Sequence, residues 1–240
     1  MPLTKYSLLD AAKLLQETRN SIKGGLRRAP LVDVTAARAN VAAGLTGDNV
    51  LVITGSRGGT DYAFYNLRPL RPLPTMAEID EITTADLPKK AYHQGFLLHA
   101  ARVKRFLAGR RPDIIVGHSL GAASAQILGA HFEVPTIGLA SPQVVKRRYL
   151  EATALRARGH RQWHVFNMAW RQDFVTRGYR ELGLRCLGHR VVVDTNQQNF
   201  GVDHFVSQYE NLIVTALDQQ LAGLPQHWPD ASFAPPSRLA

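Results

Sequence analysis

Ser119 stands at the centre of Gly117-His118-Ser119-Leu120-Gly121, after the apolar run DIIV and before the Ala- and Leu-rich run that ends at Phe132. A serine hydroxyl attacks a carbonyl only when a base takes its proton and a carboxylate orients that base. The G-x-S-x-G pattern offers the setting for such a serine, because a strand entering and a helix leaving force its backbone close to both elements. Small residues two positions either side, Gly117 and Gly121, make that approach possible. The helix N-terminus behind Ser119 also favours negative charge developing beside it. The plainer reading is a serine that only caps the helix beginning at Leu120. The strand-like and helix-like runs on either side favour the nucleophile.

The partners follow from chain order, which for this strand-turn-helix arrangement is Ser, then Asp or Glu, then His. Asp173 comes shortly after the run HVFNMA, where a side chain can reach the C-terminal edge of a sheet. Asp194 ends RVVVD and Asp203 precedes His204, so either can instead serve a turn or a cap. His160 and His164 precede Asp173 and break the order, and His189 leads directly into a strand. His204, between the last strand and the last helix, is therefore the expected base, with Asp173 as its partner. An oxyanion hole needs backbone donors: the N–H of Leu120 is one, and the loop after NVLVITG supplies the other. Ser56 is the candidate there, with Gly58, Gly59 and Thr60 as competing donors. No G-K-[ST] follows that loop, which argues against a phosphate cradle.

The elements that must hold these residues alternate. Leu8, Leu9, Ala12, Leu15 and Ile22 recur at helical spacing and predict an amphipathic N-terminal helix over about 7–23. Strands are expected at 49–54, 113–117, 135–140, 164–169 and 190–194, with one more at 61–67. Helices are expected at 91–108, 120–132 and from about 204 to 221. Residues 68–90 are Pro-rich and read as a long loop with a helical turn near 76–82, and 225–240 as a mobile tail. Alternating strands and helices predict an α/β domain with a mostly parallel central sheet flanked by helices, spanning the whole of 1–240.

Composition sets the outer bounds. Lone Cys186 cannot close an internal disulfide, and the N-terminus lacks the pattern of a secretory signal. No run approaches the roughly 18 apolar residues of a membrane-spanning helix, so a cytoplasmic protein is expected. The net charge of +10 comes with basic clusters at 102–111, 146–148 and 156–161. A solvated basic surface accounts for them, and peripheral contact with anionic lipid is the functional alternative. No zinc spacing or aromatic-interleaved basic run is present, so no nucleic acid is expected as partner.

The ordered blocks resemble the class 3, or fungal-type, lipases of the α/β-hydrolase superfamily. ITGSRGGTDY resembles that family's Arg-Gly-Ser/Thr block with Asp-Trp beyond it, Thr54 standing in the arginine's place and Asp61-Tyr62 in that of Asp-Trp. HQGF at 93–96 resembles its His-x-Gly-Phe, and GHSLGAASA its elbow, with Ala122 for a glycine. GLASPQV resembles Gly-x-Pro-Arg-Val, with Gln143 for the arginine. NMAWRQDFV resembles the segment bearing the triad aspartate, LGLRCLGHRVVVD the segment after it, and DHFVSQY the block bearing the triad histidine. The agreement runs from about 48 to 215.

This resemblance implies an α/β-hydrolase fold, Ser119, Asp173 and His204 as triad, and Ser56 and Leu120 at the oxyanion hole. It implies a lipase, phospholipase or carboxylesterase acting on a small-molecule ester or lipid with no metal and no cofactor. Residues 68–90, in the position of the family's lid, carry only scattered large apolar residues, so short soluble esters are as well suited as triglycerides. Two readings compete: another serine hydrolase such as a thioesterase, and a non-catalytic hydrolase-fold protein that binds anionic surfaces.

Overall fold

The computed structural model describes residues 6–23, 31–34, 41–56, 79, 82, 87–150, 165–171, 173–194, 204–218 and 224–229. The expected strand at 61–67, most of the 68–90 segment, Gly58, Gly59, Thr60, His160, His164 and Asp203 lie outside them. In chain order the elements are β1 (Tyr6–Ser7), α1 (Leu8–Lys23), β2 (Leu31–Val34), β3 (Ala43–Thr46), β4 (Val50–Ile53), α2 (Gln94–Leu107), β5 (Ile114–His118) and α3 (Leu120–Phe132). They continue with β6 (Thr136–Leu139), β7 (Val145–Lys146), α4 (Arg147–Leu150), β8 (Val165–Trp170), α5 (Phe174–Glu181), β9 (Leu184–Arg185), β10 (His189–Val193), α6 (Val206–Asp218) and β11 (His227–Trp228).

Seven of these strands form one sheet in the order β2-β3-β4-β5-β6-β8-β10. From β4 through β10 every neighbouring pair is parallel, and β2 and β3 add an antiparallel edge. The central strands are apolar on both sides because both sides are covered. Leu51 and Ile53 of β4 and Ile115 of β5 join a core with α2 and α3. The alternate residues Val50, Val52, Ile114 and Val116 join a second core with α1 and α6. The molecule is thus α/β, with a mostly parallel central sheet flanked by helices. Its parallel strands all end on one edge, and β5 and β8 deliver their following turns there.

Three boundaries differ from expectation. The helix expected from Ala91 begins at Gln94, because Tyr92 and His93 are extended: Tyr92 bridges Val145, and the His93 N–H donates to the Val144 carbonyl. The His93 ring then accepts from the Phe96 N–H, capping the helix. Residues 225–229, expected within a mobile tail, are pinned instead. β11 pairs antiparallel with β1, and Trp228 is fully buried with its ring 5.0 Å from that of Phe166. Burial of an indole of that size and pairing of β11 with β1 together offset the entropy lost in ordering the segment. The edge strands β2 and β3 went unforeseen, since LVDV and AGLT are too short to show a period.

Candidate active site

The turn after β5 gives Ser119 its conformation. Its φ of 55° and ψ of −121° lie in a region that favours glycine, so the surrounding structure must hold the strain. The Ser119 N–H donates to the Leu139 carbonyl, continuing the ladder to β6, and its carbonyl accepts from Ala123 N–H as α3 begins. The flanking glycines are forced by contact. A Cβ on Gly117 would sit 2.4 Å from the Gly121 carbonyl oxygen, and one on Gly121 would sit 2.1 Å from that of Ile53. Ala122, where the resembling family has glycine, packs fully buried in α3 without disturbing the turn.

Asp173 reaches the same edge from the end of β8. It stands directly before α5, and its Oδ1 accepts from the Thr176 N–H at 3.4 Å, the bond of an N-cap residue. The Thr176 hydroxyl donates back to the Asp173 carbonyl at 3.0 Å. With Oδ1 engaged by the cap, Oδ2 turns to its other neighbours. The Tyr209 hydroxyl donates to it at 3.0 Å, and His204 Nδ1 lies 2.8 Å from it. The helix N-terminus favours the carboxylate's negative charge there.

His204 completes the line. Its Nε2 is 2.6 Å from Ser119 Oγ, while its Nδ1 faces Asp173, so the ring spans the serine hydroxyl and the carboxylate. The turn holding it leads into α6, whose first turn carries the fully buried Tyr209. The most open member is the middle one: the His204 side chain is 23% exposed, whereas Ser119 is 8% exposed and the Asp173 side chain 0%.

His118, the second residue of the elbow, is buried beside this relay. Its ring centroid is 5.4 Å from that of His204 and 6.0 Å from that of Tyr209. Burial, and after it the charges of His204 and Arg19, hold its imidazole well below the usual histidine range. It is a neutral wall against which the His204 ring rests.

Leu120 opens α3, so its N–H has no acceptor within the helix and is available beside Ser119. Gly55 abuts the elbow: a Cβ there would lie 3.0 Å from Ser119 Cβ and 3.2 Å from the His118 carbonyl oxygen. Ser56 is the next residue, following on from the β4 side. Thr54, at the arginine's place in the resembling family, is spent on the fold, its N–H and hydroxyl both directed at the Ala42 carbonyl.

The structure therefore brings together Ser119, His204 and Asp173, with Leu120 and Ser56 adjacent. The weighed alternatives lie elsewhere: Asp194 pairs with Arg171 at 2.9 Å, and His189 begins β10. Tyr209 and Thr176 were missed. The signal for Tyr209 was its place within DHFVSQY, five residues after His204; that for Thr176 was an aspartate three residues ahead of a threonine at a helix start. Among the described residues no group of three or more His, Cys, Asp or Glu side chains is placed to hold a metal ion. Nor is any helix among them long and apolar enough to cross a membrane. No family model matches the chain, and no curated protein matches it in sequence.

Proposed function

We propose that the chain is a serine ester hydrolase of the α/β-hydrolase fold, related to the class 3 lipases, that cleaves a carboxylic ester through an acyl-enzyme. The observation that carries this reading is the unbroken relay from strained Ser119 Oγ through His204 to Asp173, with steps of 2.6 and 2.8 Å.

Ser119 Oγ attacks the ester carbonyl carbon while its proton passes to His204 Nε2. Asp173 Oδ2 holds the Nδ1–H and stabilises the imidazolium that results. The Leu120 N–H and Ser56 stabilise the oxyanion, each donor contributing about 2.7–4 kcal/mol in comparable sites. His204 returns its proton to the departing alkoxide, which leaves as an alcohol. Water, deprotonated by the same nitrogen, then hydrolyses the acyl-enzyme to free acid and serine. The basic surface suits peripheral contact with an anionic interface, where a lipid ester would be met.

Turnover of p-nitrophenyl esters of graded chain length tests the reading, with Ser119→Ala alongside. We expect hydrolysis in the parent and none above background in the variant, and stoichiometric labelling of the parent by a fluorophosphonate. Preference for thioesters across a matched panel would move the reading to a thioesterase. A folded parent that neither turns over any ester nor takes the label would overturn it.

A further inference from the structure

We propose that Arg19 is an anion-binding residue at the mouth of this site and selects esters bearing a phosphate or carboxylate close to the scissile bond. The inference rests on the hydrolase reading and goes beyond it by specifying the charge of the substrate.

The placement follows from the fold. α1 and α6 pack on each other over one face of the sheet, and the N-terminal end of α6 lies at the edge where the triad assembles. Arg19, in the C-terminal half of α1, reaches that edge: its guanidinium carbon is 5.8 Å from the centroid of the Phe205 ring. Phe205 follows His204 in the chain and is 45% exposed, one of the few large apolar side chains of the described residues left open. A guanidinium resting on an aromatic face is held in place while its N–H edge stays open to a ligand.

Arg19 is half-buried, and no carboxylate among the described residues pairs with it. Two other titratable groups of the described residues at this edge are engaged or neutral. Arg171, two residues before Asp173, is paired with Asp194. His118 is neutral, and Arg19's charge is among the causes that keep it so. Among the described residues, the positive charge beside Phe205 that no carboxylate pairs is thus Arg19's. A cation near a helix C-terminus gains from the macrodipole in many orientations, so that interaction alone does not account for its seat over Phe205. The two side chains together suit an amphiphilic ligand, with a short carbon skeleton on the exposed ring and an anion in the guanidinium fork. Phosphate and carboxylate both match that fork in two-point geometry.

The test uses the full-length chain and two matched pairs of probes. p-Nitrophenyl hemisuccinate is set against p-nitrophenyl butyrate, and 1-butyrylglycerol 3-phosphate against 1-butyrylglycerol. We expect the parent to favour the anionic member of at least one pair by about tenfold in kcat/KM, chiefly through KM, which also tells phosphate from carboxylate. Arg19→Gln should bring that ratio to about one, Arg19→Lys should restore part of it, and Arg110→Gln, in the turn leading into β5 at the opposite edge, should leave it as in the parent. Calorimetric binding of the same uncleaved anionic ester to Ser119→Ala, with and without Arg19→Gln, gives a second readout independent of turnover. An Arg19-dependent loss of binding of about tenfold with no turnover in the parent would keep the subsite and sink the hydrolase reading. Turnover with a charge ratio near one, or a ratio and binding indifferent to Arg19→Gln, would overturn the subsite and keep the hydrolase.

Discussion

Two serine–histidine pairs in this molecule have the same spacing and opposite prospects. Ser119 Oγ lies 2.6 Å from His204 Nε2, and Ser124 Oγ lies 2.6 Å from His99 Nδ1. The second pair joins α3 to α2 and is sealed, with Ser124 and His99 at 0% and 1% exposure. Burial, with Arg102 adding to it, lowers His99 to about 3, so its imidazole stays neutral and is too weak a base to activate a hydroxyl. Ser124 has an ordinary helical seat, whereas Ser119 is strained, paired with a histidine whose side chain is 23% exposed, and followed by free helix N–H groups. His204 has a carboxylate behind it. A short Ser–His distance is therefore poor evidence of a nucleophile. On the proposed reading, an accessible base, a carboxylate behind it and oxyanion donors make the difference.

The comparison breaks most visibly if the two serines are exchanged for alanine. Ser119→Ala should lower kcat by about 10⁶, as loss of a triad serine does elsewhere. Ser124→Ala should retain activity within a few-fold and cost about 1–3 kcal/mol of stability, the penalty for leaving a buried polar partner unmet. Steady-state kinetics and urea unfolding on both variants measure this. Equal loss of activity in the two would mean that the buried pair takes part in the chemistry.

Asp173→Asn removes the charge behind the first pair while sparing the fold. Asparagine caps a helix about as well as aspartate, so α5 should keep its start. His204 would then meet an amide that can donate to Nδ1, which favours the tautomer unable to accept the serine proton at Nε2. A fall in kcat of about 10⁴ with little change in melting temperature is the expected result. Retention of more than a tenth of the activity would dismiss Asp173 as the orienting acid.

Acid separates the pairs by stability. His99 binds its proton in the unfolded chain near the ordinary value of 6.5 but in the folded chain only near 3. Its contribution is therefore fully present above pH 6.5 and is lost as pH falls from there towards 3, because the unfolded state takes up the proton first. Between pH 7.5 and 5 this amounts to about 2 kcal/mol of lost stability from His99. His118, lowered in the same direction by burial, adds to the slope. Urea unfolding at both pH values should show His99→Gln losing less over this interval than the parent, whatever its absolute stability. Identical losses would mean that His99 is protonated in the folded protein.

Much of the site could be seen in the residues, for a reason that also explains what could not. An elbow needs small residues at fixed offsets, so Gly117, Ser119 and Gly121 announce themselves locally, and the strand and helix around them carry clear apolar runs. Chain order then isolates Asp173 and His204 from competitors such as Asp194, which the structure spends on Arg171. The contacts that escaped are long-range and chemically unremarkable in sequence. Tyr209 meets Asp173 across 36 residues, and Trp228 docks on Phe166 from a segment with no periodic pattern. The His99–Ser124 bond spans 25 residues, and nothing in either helix marks it. Nothing in the sequence around Arg19 marks it from the other polar residues of α1.

The last distinction is within the first pair, between what orients Asp173 and what merely surrounds it. The Thr176 N–H fixes Oδ1 at 3.4 Å, a long bond, while the Tyr209 hydroxyl reaches the His204-facing oxygen at 3.0 Å. If the cap alone sets the carboxylate, Tyr209→Phe should change nothing, since the ring would still fill its place in the core. If the hydroxyl helps aim Oδ2 at His204, its loss lets the carboxyl rotate about the capped oxygen and weakens the bond that steadies the imidazolium. A hydrogen bond to a charged group contributes about 1.5–3 kcal/mol, and the surviving cap and His204 contacts should retain part of the orientation. We therefore expect kcat to fall by about tenfold with KM unchanged, because the interaction matters most when His204 is charged in the transition state. A matched loss in KM would instead implicate the shape of the pocket, and no loss at all would return the whole task of orientation to the helix cap.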